Sequence, residues 1–201
     1  MTKIVWLASY PKSGNTWLRA FLVNYLSNEE SACSLEQLTD FAYSDMSVTP
    51  YEKVMGKVVR GMTWKELAPH RDEAQKYIVD SHIQETGETA TSIPIKTHSS
   101  FKLPNGQISI NEKLTRNAIY VMRNPLDVVV SYASHYGCEI DHAVDVSCSN
   151  GHLISGLEGD VVQQFVGPWG AHVASWLNAG RLPRLLIRYE DMSRDPIRAF
   201  R

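Results

Sequence analysis

Ile4-Val5-Trp6-Leu7-Ala8-Ser9-Tyr10-Pro11-Lys12-Ser13-Gly14-Asn15-Thr16-Trp17 begins as a nearly uniform apolar run and ends as a small polar loop. A short apolar run bounded by Pro and Gly predicts a strand buried on both faces, as in a parallel sheet. Beyond the loop, Trp17, Leu18, Phe21, Leu22, Tyr25 and Leu26 recur at helical spacing, so residues 15–27 are expected to form a helix with Arg19 and Asn24 on its wet face. A loop between strand and helix presents free backbone N–H groups at the positive end of the helix dipole, which is an anion site. Gly14 permits close approach of the backbone, Ser13 and Thr16 add hydroxyl donors, and Lys12 adds a full charge.

The same unit returns at Ala118-Ile119-Tyr120-Val121-Met122, followed by Arg123, by Asn124 as a natural N-cap and by Pro125 at the first helical position. Its helix is expected to run to about Tyr136. Ile93 to Thr97 and Arg184 to Arg188 are two further strands. Interleaved strands and helices predict an α/β fold with a parallel, doubly wound sheet whose ligands bind beyond the carboxyl ends of the strands. Residues 34–91 read as a helical insertion, with capping boxes at Ser34-x-x-Gln37 and Thr63-x-x-Glu66 and a helix near Arg71 to Ile83. Residues 137–159 show no period and are expected to be a loop or lid. From Asp160 to Asn178, Val162, Phe165, Val166, Trp169, Val173, Trp176 and Leu177 give a long helical stripe kinked by Pro168.

With 201 residues, 43% of them apolar, the chain is long enough to bury one core, and residues 1–201 are read as a single domain. A formal charge of -2 gives no general attraction for nucleic acid, so any anion site must be local. No apolar run reaches the length needed to cross a bilayer. Three cysteines without a CxxC pair argue against a disulfide framework, and together with the missing membrane span they lead to a cytoplasmic expectation.

Three chemical readings compete for the loop. A Walker A motif places Lys directly after its last Gly, whereas Lys12 precedes Ser13-Gly14, and no Walker B-like Asp ends a strand, which weakens a P-loop ATP-dependent kinase or nucleotide hydrolase. Cys138-x3-His142 and Cys148-x3-His152 invite a zinc site, but their spacing is unlike that of fingers and ribbons, so no metal is expected. The eight residues from Tyr10 to Trp17, in contrast, resemble the 5'-phosphosulfate-binding loop of sulfotransferases that use 3'-phosphoadenosine 5'-phosphosulfate (PAPS), nearest to the cytosolic group. Asn15 stands where those proteins usually carry Thr, and its amide is expected to donate to phosphate in place of the hydroxyl.

Three other segments carry the resemblance. Tyr120 to Tyr132 is similar to the family's 3'-phosphate segment, which implies that Arg123 and Ser131 hold that phosphate. Ile95-Lys96-Thr97-His98 is similar to the segment that bears the catalytic base, implying His98 as base and Lys96 as an aid at the sulfuryl group. Leu185 to Met192 is similar to the strand followed by Tyr-Glu-Asp-Met, implying that Tyr189 lies near adenine. Trp17 is an adenine contact by the same resemblance and a core residue by its spacing, and both roles can hold. The resemblance therefore implies catalytic Lys12, Lys96, His98 and Ser131, a donor site of Lys12, Ser13, Gly14, Asn15, Thr16, Trp17, Arg123, Ser131 and Tyr189, PAPS as co-substrate, and a small-molecule acceptor. It also implies an Arg-Lys-Gly segment that is not found before Arg201, so the chain is read as truncated at its C-terminus and a non-catalytic nucleotide-binding remnant stays open.

Overall fold

The computed structural model describes residues 2–28, 31–87, 91–155 and 161–200. In chain order these form β1 (Lys3–Ser9), α1 (Asn15–Ser27), α2 (Leu35–Asp40), β2 (Tyr43–Ser44), α3 (Val48–Met55), α4 (Trp64–Leu67) and, after a single 3-10 turn, α5 (Arg71–Thr86). They continue with β3 (Ser92–Thr97), β4 (Thr115–Met122), α6 (Pro125–Tyr136), α7 (Ile140–Cys148), β5 (Leu153–Ile154), β6 (Gln164–Phe165), α8 (Trp169–Leu177), β7 (Arg184–Arg188), α9 (Tyr189–Arg194) and α10 (Pro196–Ala199). The five strands β2-β3-β1-β4-β7 form one parallel sheet in that order, with β1 at its centre, and β5 and β6 make a small antiparallel pair.

Because β1 has a partner on each edge and helices on each face, its central side chains from Ile4 to Ala8 have little access to water. Ile4, Trp6 and Ala8 point into one core with Ile93, Ile95, Ala118, Tyr120, Val173 and Trp176. Leu7 points into the other with Leu18, Val121, Ile187 and Met192, and Val5 packs against it. That two-sided burial is the reason for the unbroken apolar run. Each large aliphatic side chain so buried contributes about 1.5–3 kcal/mol. The register sets Ala8 beside both Thr97 and Tyr120, and Met122 beside Arg188, so four strands end close together along one edge.

Both predicted capping boxes form, with the Ser34 and Thr63 hydroxyls accepting from the N–H groups of Gln37 and Glu66. Three expectations need correction. The region 34–91 is largely helical, yet Tyr43–Ser44 pairs with Ile95 and Lys96 and adds a strand to the sheet edge; two residues are too few to show a period. Within 137–159, Ile140–Cys148 is a helix rather than a loop. Its inward positions are small or polar, Ala143 and Ser147, while Ile140 and Val144 stay exposed, which inverts the usual signal. The long helix expected over 160–178 is only Trp169–Leu177, because Gly167 at φ 69° and an extended Pro168 break the chain after β6. Residues 156–160, the end of the predicted lid and the start of the predicted stripe, lie outside the described residues.

Candidate active site

The N-terminus of α1 is left open. Gly14 takes the N-cap position without a side-chain cap, no acidic residue lies in the first turn, and the Thr16 hydroxyl is exposed there. α3, α5, α7, α8 and α9 also lack a side-chain cap, but α1 is the helix whose uncapped end opens on the cleft with Lys12 and Arg123. Free N–H groups and an unopposed dipole make α1 the natural anion seat. The loop reaches this shape with some strain at Lys12, which sits at φ 64°, while Gly14 takes φ 105° freely. A left-handed lysine costs roughly 1–2 kcal/mol, and such strain gathers at ligand-binding turns.

Gly14 is required for a second reason. A Cβ at that position would lie 2.6 Å from Cδ2 of Tyr189. Gly14→Ala is therefore expected to displace Tyr189 or the loop and to destabilise the fold by about 1–3 kcal/mol, the usual cost of a strained backbone residue. Thermal unfolding with and without adenosine 3',5'-bisphosphate checks this: the variant should melt lower and gain less from the ligand. Equal melting curves would show that the loop tolerates a side chain.

One cleft of about 640 Å³ collects Lys12, Gly14, Asn15, Thr16, Trp17, Lys96, His98, Arg123, Ser131 and Tyr189. Ser13 is buried below the loop, where its hydroxyl has no partner. The side chain of Asn15 does not face the anion seat. Its amide donates to the Leu7 carbonyl at 2.9 Å, so the expected donation to phosphate is corrected: Asn15 ties the loop to β1 and offers the anion only its backbone N–H. The cleft also includes Met46, His135, Tyr136 and Ile154, which the sequence reading missed. His135 lies one helical turn beyond Ser131 on α6, and that i,i+4 spacing was the available signal.

Arg123 leaves the end of β4 and donates from Nη1 to the Lys12 carbonyl at 3.1 Å, so strand end and loop hold each other. Its guanidinium lies 4.2 Å from the centre of the Tyr189 ring, and Tyr189 meets Trp17 edge to face at 5.6 Å. Nε of Arg123 is buried without a partner. A fixed planar fork with an orphan donor suits a phosphate. Burial and the neighbouring Arg123 lower the Lys12 pKa, and burial, Arg19 and Lys12 lower that of Lys96 against the opposing pull of Asp45. The cleft is thus short of negative charge, and an anion entering it relieves repulsion among its cations.

His98 follows β3 directly. Its Nδ1 is 2.8 Å from the Ser9 carbonyl, and since a carbonyl only accepts, Nδ1 carries the proton and Nε2 keeps the lone pair. That is the tautomer a general base needs. Burial first, then Lys96, pushes its pKa down to about 3. Behind it, the Tyr120 hydroxyl donates to Nδ1 of His172 at 2.9 Å, and Nε2 of His172 donates to the His98 carbonyl at 3.1 Å.

Burial likewise holds His172 at about 3 and His152 at about 4. For these three histidines the folded pKa lies below the unfolded value of roughly 6.5. Their contribution to stability is complete above that value and is lost as pH falls, because the unfolded chain takes up protons that the folded chain refuses. For the fully buried His172 the loss by pH 4 is on the order of 3 kcal/mol. Urea unfolding should show stability dropping steeply between pH 6.5 and 4. A flat profile would contradict the buried neutral imidazoles.

Residues 2–201 match the sulfotransferase domain family. The chain belongs to that family. Among similar sulfotransferases, the flavonol 3-sulfotransferase of Flaveria bidentis is 29% identical over 96% of this chain and 53% of its own length. The luciferin sulfotransferase of Photinus pyralis is also 29% identical, over 97% of this chain and 48% of its own. The chain thus spans about half the length of the curated relatives it matches. The solved sulfotransferase fold is shared with mouse SULT7A1 complexed with PAP, at TM-score 0.51 and 18% identity, covering 98% of this chain and 55% of that one. Retinol dehydratase in a complex with retinol and PAP gives TM-score 0.52 and 18% identity over 96% and 56%. Membership favours the sulfotransferase reading of the loop over a nucleotide kinase. Of the four side chains in the zinc spacing, His152 turns inward, its Nδ1 2.9 Å from the Tyr10 hydroxyl. Among the described residues no three His, Cys, Asp or Glu side chains are grouped to hold a metal ion.

Proposed function

We propose that the chain binds PAPS in this cleft and transfers its sulfuryl group to a hydroxyl or amine of a small-molecule acceptor. The observation that carries this reading is the convergence of an uncapped phosphate loop, the Arg123 fork and a correctly protonated His98 on one 640 Å³ cleft. The bound donor supplies a sulfuryl group on a phosphate leaving group. Lys12 and the α1 N–H groups hold the 5'-phosphate and oppose charge growing on the oxygen that bridges it to sulfur. Arg123 and Ser131 take the 3'-phosphate, with Trp17 and Tyr189 beside the base. Nε2 of His98 accepts the acceptor proton as the new O–S bond forms and the old one breaks, while Lys96 steadies the sulfuryl oxygens.

A small acceptor agrees with the relatives named for flavonols and luciferin, and Met46, Tyr136 and Ile154 offer it a partly apolar wall. The free thiols agree with a cytoplasmic protein; no described helix is long and apolar enough to cross a membrane. The test is transfer of radiolabelled sulfuryl from PAPS across a panel of phenols, alcohols and amines. Turnover of at least one class is expected. Tight donor binding with no transfer to any class would leave only the non-catalytic reading.

A further inference from the structure

Asp45, Arg71, Thr97, Ser99 and Gln164 are all buried, and they form one polar network behind the cleft. Nη2 of Arg71 donates to Oδ2 of Asp45 at 2.7 Å and to the Ser99 hydroxyl at 2.7 Å, while Nε donates to the Ser109 carbonyl at 2.8 Å. The Thr97 hydroxyl donates to Oδ2 of Asp45 at 3.0 Å. Nε2 of Gln164 donates to Oδ1 of Asp45, and Oε1 of Gln164 accepts the backbone N–H of His98 at 3.3 Å.

A buried ion pair is commonly no more stabilising than well-packed apolar residues of the same volume, so its presence alone does not explain the network. Its connectivity does. The residues come from four segments, namely the turn after β2, the start of α5, the end of β3, and β6; Thr97 and Ser99 flank residue 98 in the chain, and Gln164 accepts its N–H. His98 is gripped at three points: the ring by the Ser9 carbonyl, the carbonyl by His172, and the N–H by Gln164. Gln164 can hold only one orientation, because its amide nitrogen is committed to Asp45 and Asp45 is committed to Arg71 and Thr97.

We propose that Gln164, oriented by the Asp45–Arg71 pair, is a positioning residue for His98: it fixes the backbone from which the imidazole reaches the acceptor. This rests on the reading of His98 as the base. Displacement of a reacting group by about 1 Å can reduce rate roughly 10²-fold. Gln164→Met keeps the volume and removes both hydrogen bonds.

The expected result for Gln164→Met is a fall in kcat of about 10- to 100-fold, with adenosine 3',5'-bisphosphate affinity nearly unchanged. In a His98→Ala background the same substitution should lower kcat no further, since a residue acting through His98 has nothing left to act on. A structural role would lower it in both backgrounds, and that outcome overturns the proposal. Nitrogen-15 imidazole spectra give a readout independent of turnover: the Nδ1–H signal of His98, identified by its loss in His98→Ala, should shift or broaden in Gln164→Met. An unmoved signal also overturns the proposal, even where the wild-type chain transfers no sulfuryl group and the functional reading has failed on its own. If Gln164→Met does not fold, Gln164→Asn, too short to span Asp45 and His98, is held to the same outcomes.

Discussion

Replacing His98 by alanine is expected to lower the proposed turnover about 10²- to 10⁴-fold, the usual loss on removing a general base, and to leave adenosine 3',5'-bisphosphate binding nearly intact. The split follows from geometry. Nδ1 of His98 is occupied by the Ser9 carbonyl, so the ring nitrogen left for an acceptor is Nε2, and His98 lines the same cleft as Lys12 and Lys96. The donor phosphates are assigned to the α1 N–H groups, Lys12 and Arg123, none of which depends on the imidazole. Steady-state kinetics with the best acceptor, together with calorimetry on the same preparation, checks both halves. Wild-type turnover in His98→Ala would remove the base assignment, and a parallel loss of bisphosphate affinity would make His98 a donor contact instead.

Arg123→Ala is expected to weaken adenosine 3',5'-bisphosphate binding about 100-fold, since one charge-assisted contact is worth roughly 1.5–3 kcal/mol. AMP, which has no 3'-phosphate, should lose much less. Some loss is expected for both nucleotides, because Arg123 also holds the Lys12 carbonyl at 3.1 Å and covers the face of Tyr189. The difference between them isolates the 3'-phosphate. Arg123→Lys restores charge but not the planar fork, so it should recover only part of the discrimination. Equal losses for the two nucleotides would assign Arg123 to loop support alone.

The parts of this fold that could be read beforehand are those whose local pattern and tertiary role agree. β1 is apolar from Ile4 to Ala8 because both of its faces are buried, and α6 carries its own stop signals; α1 forms where expected, but Tyr25 and Leu26, read onto its buried face, are exposed, and Arg19, read onto its wet face, is half-buried and donates to the Leu38 carbonyl. Where local pattern and tertiary role part company, reading failed. α7 turns Ala143 and Ser147 inward and leaves Ile140 and Val144 in solvent, so its hydrophobic signal has the wrong sign. β2 exists because two residues meet the edge of β3, a fact held by the partner and not by Tyr43–Ser44.

The site divides in the same way. His98 and Arg123 directly follow β3 and β4, and Lys12 lies in the loop after β1, so their positions in the fold were legible from local sequence. Asn15 was legible as a loop residue but not in the direction of its side chain, which a hydrogen bond to Leu7 decides. The support behind His98 was invisible, because Gln164 meets Asp45 across 119 residues of sequence and His172 meets His98 across 74. No local spacing encodes such pairs.

The donor site is tested most directly by calorimetry of adenosine 3',5'-bisphosphate and of ATP, each with and without Mg²⁺. A site made of N–H groups, Lys12 and Arg123 should bind the bisphosphate tightly without metal and ATP weakly in either condition. ATP binding that exceeds the bisphosphate and requires Mg²⁺ would contradict a PAPS site in this cleft.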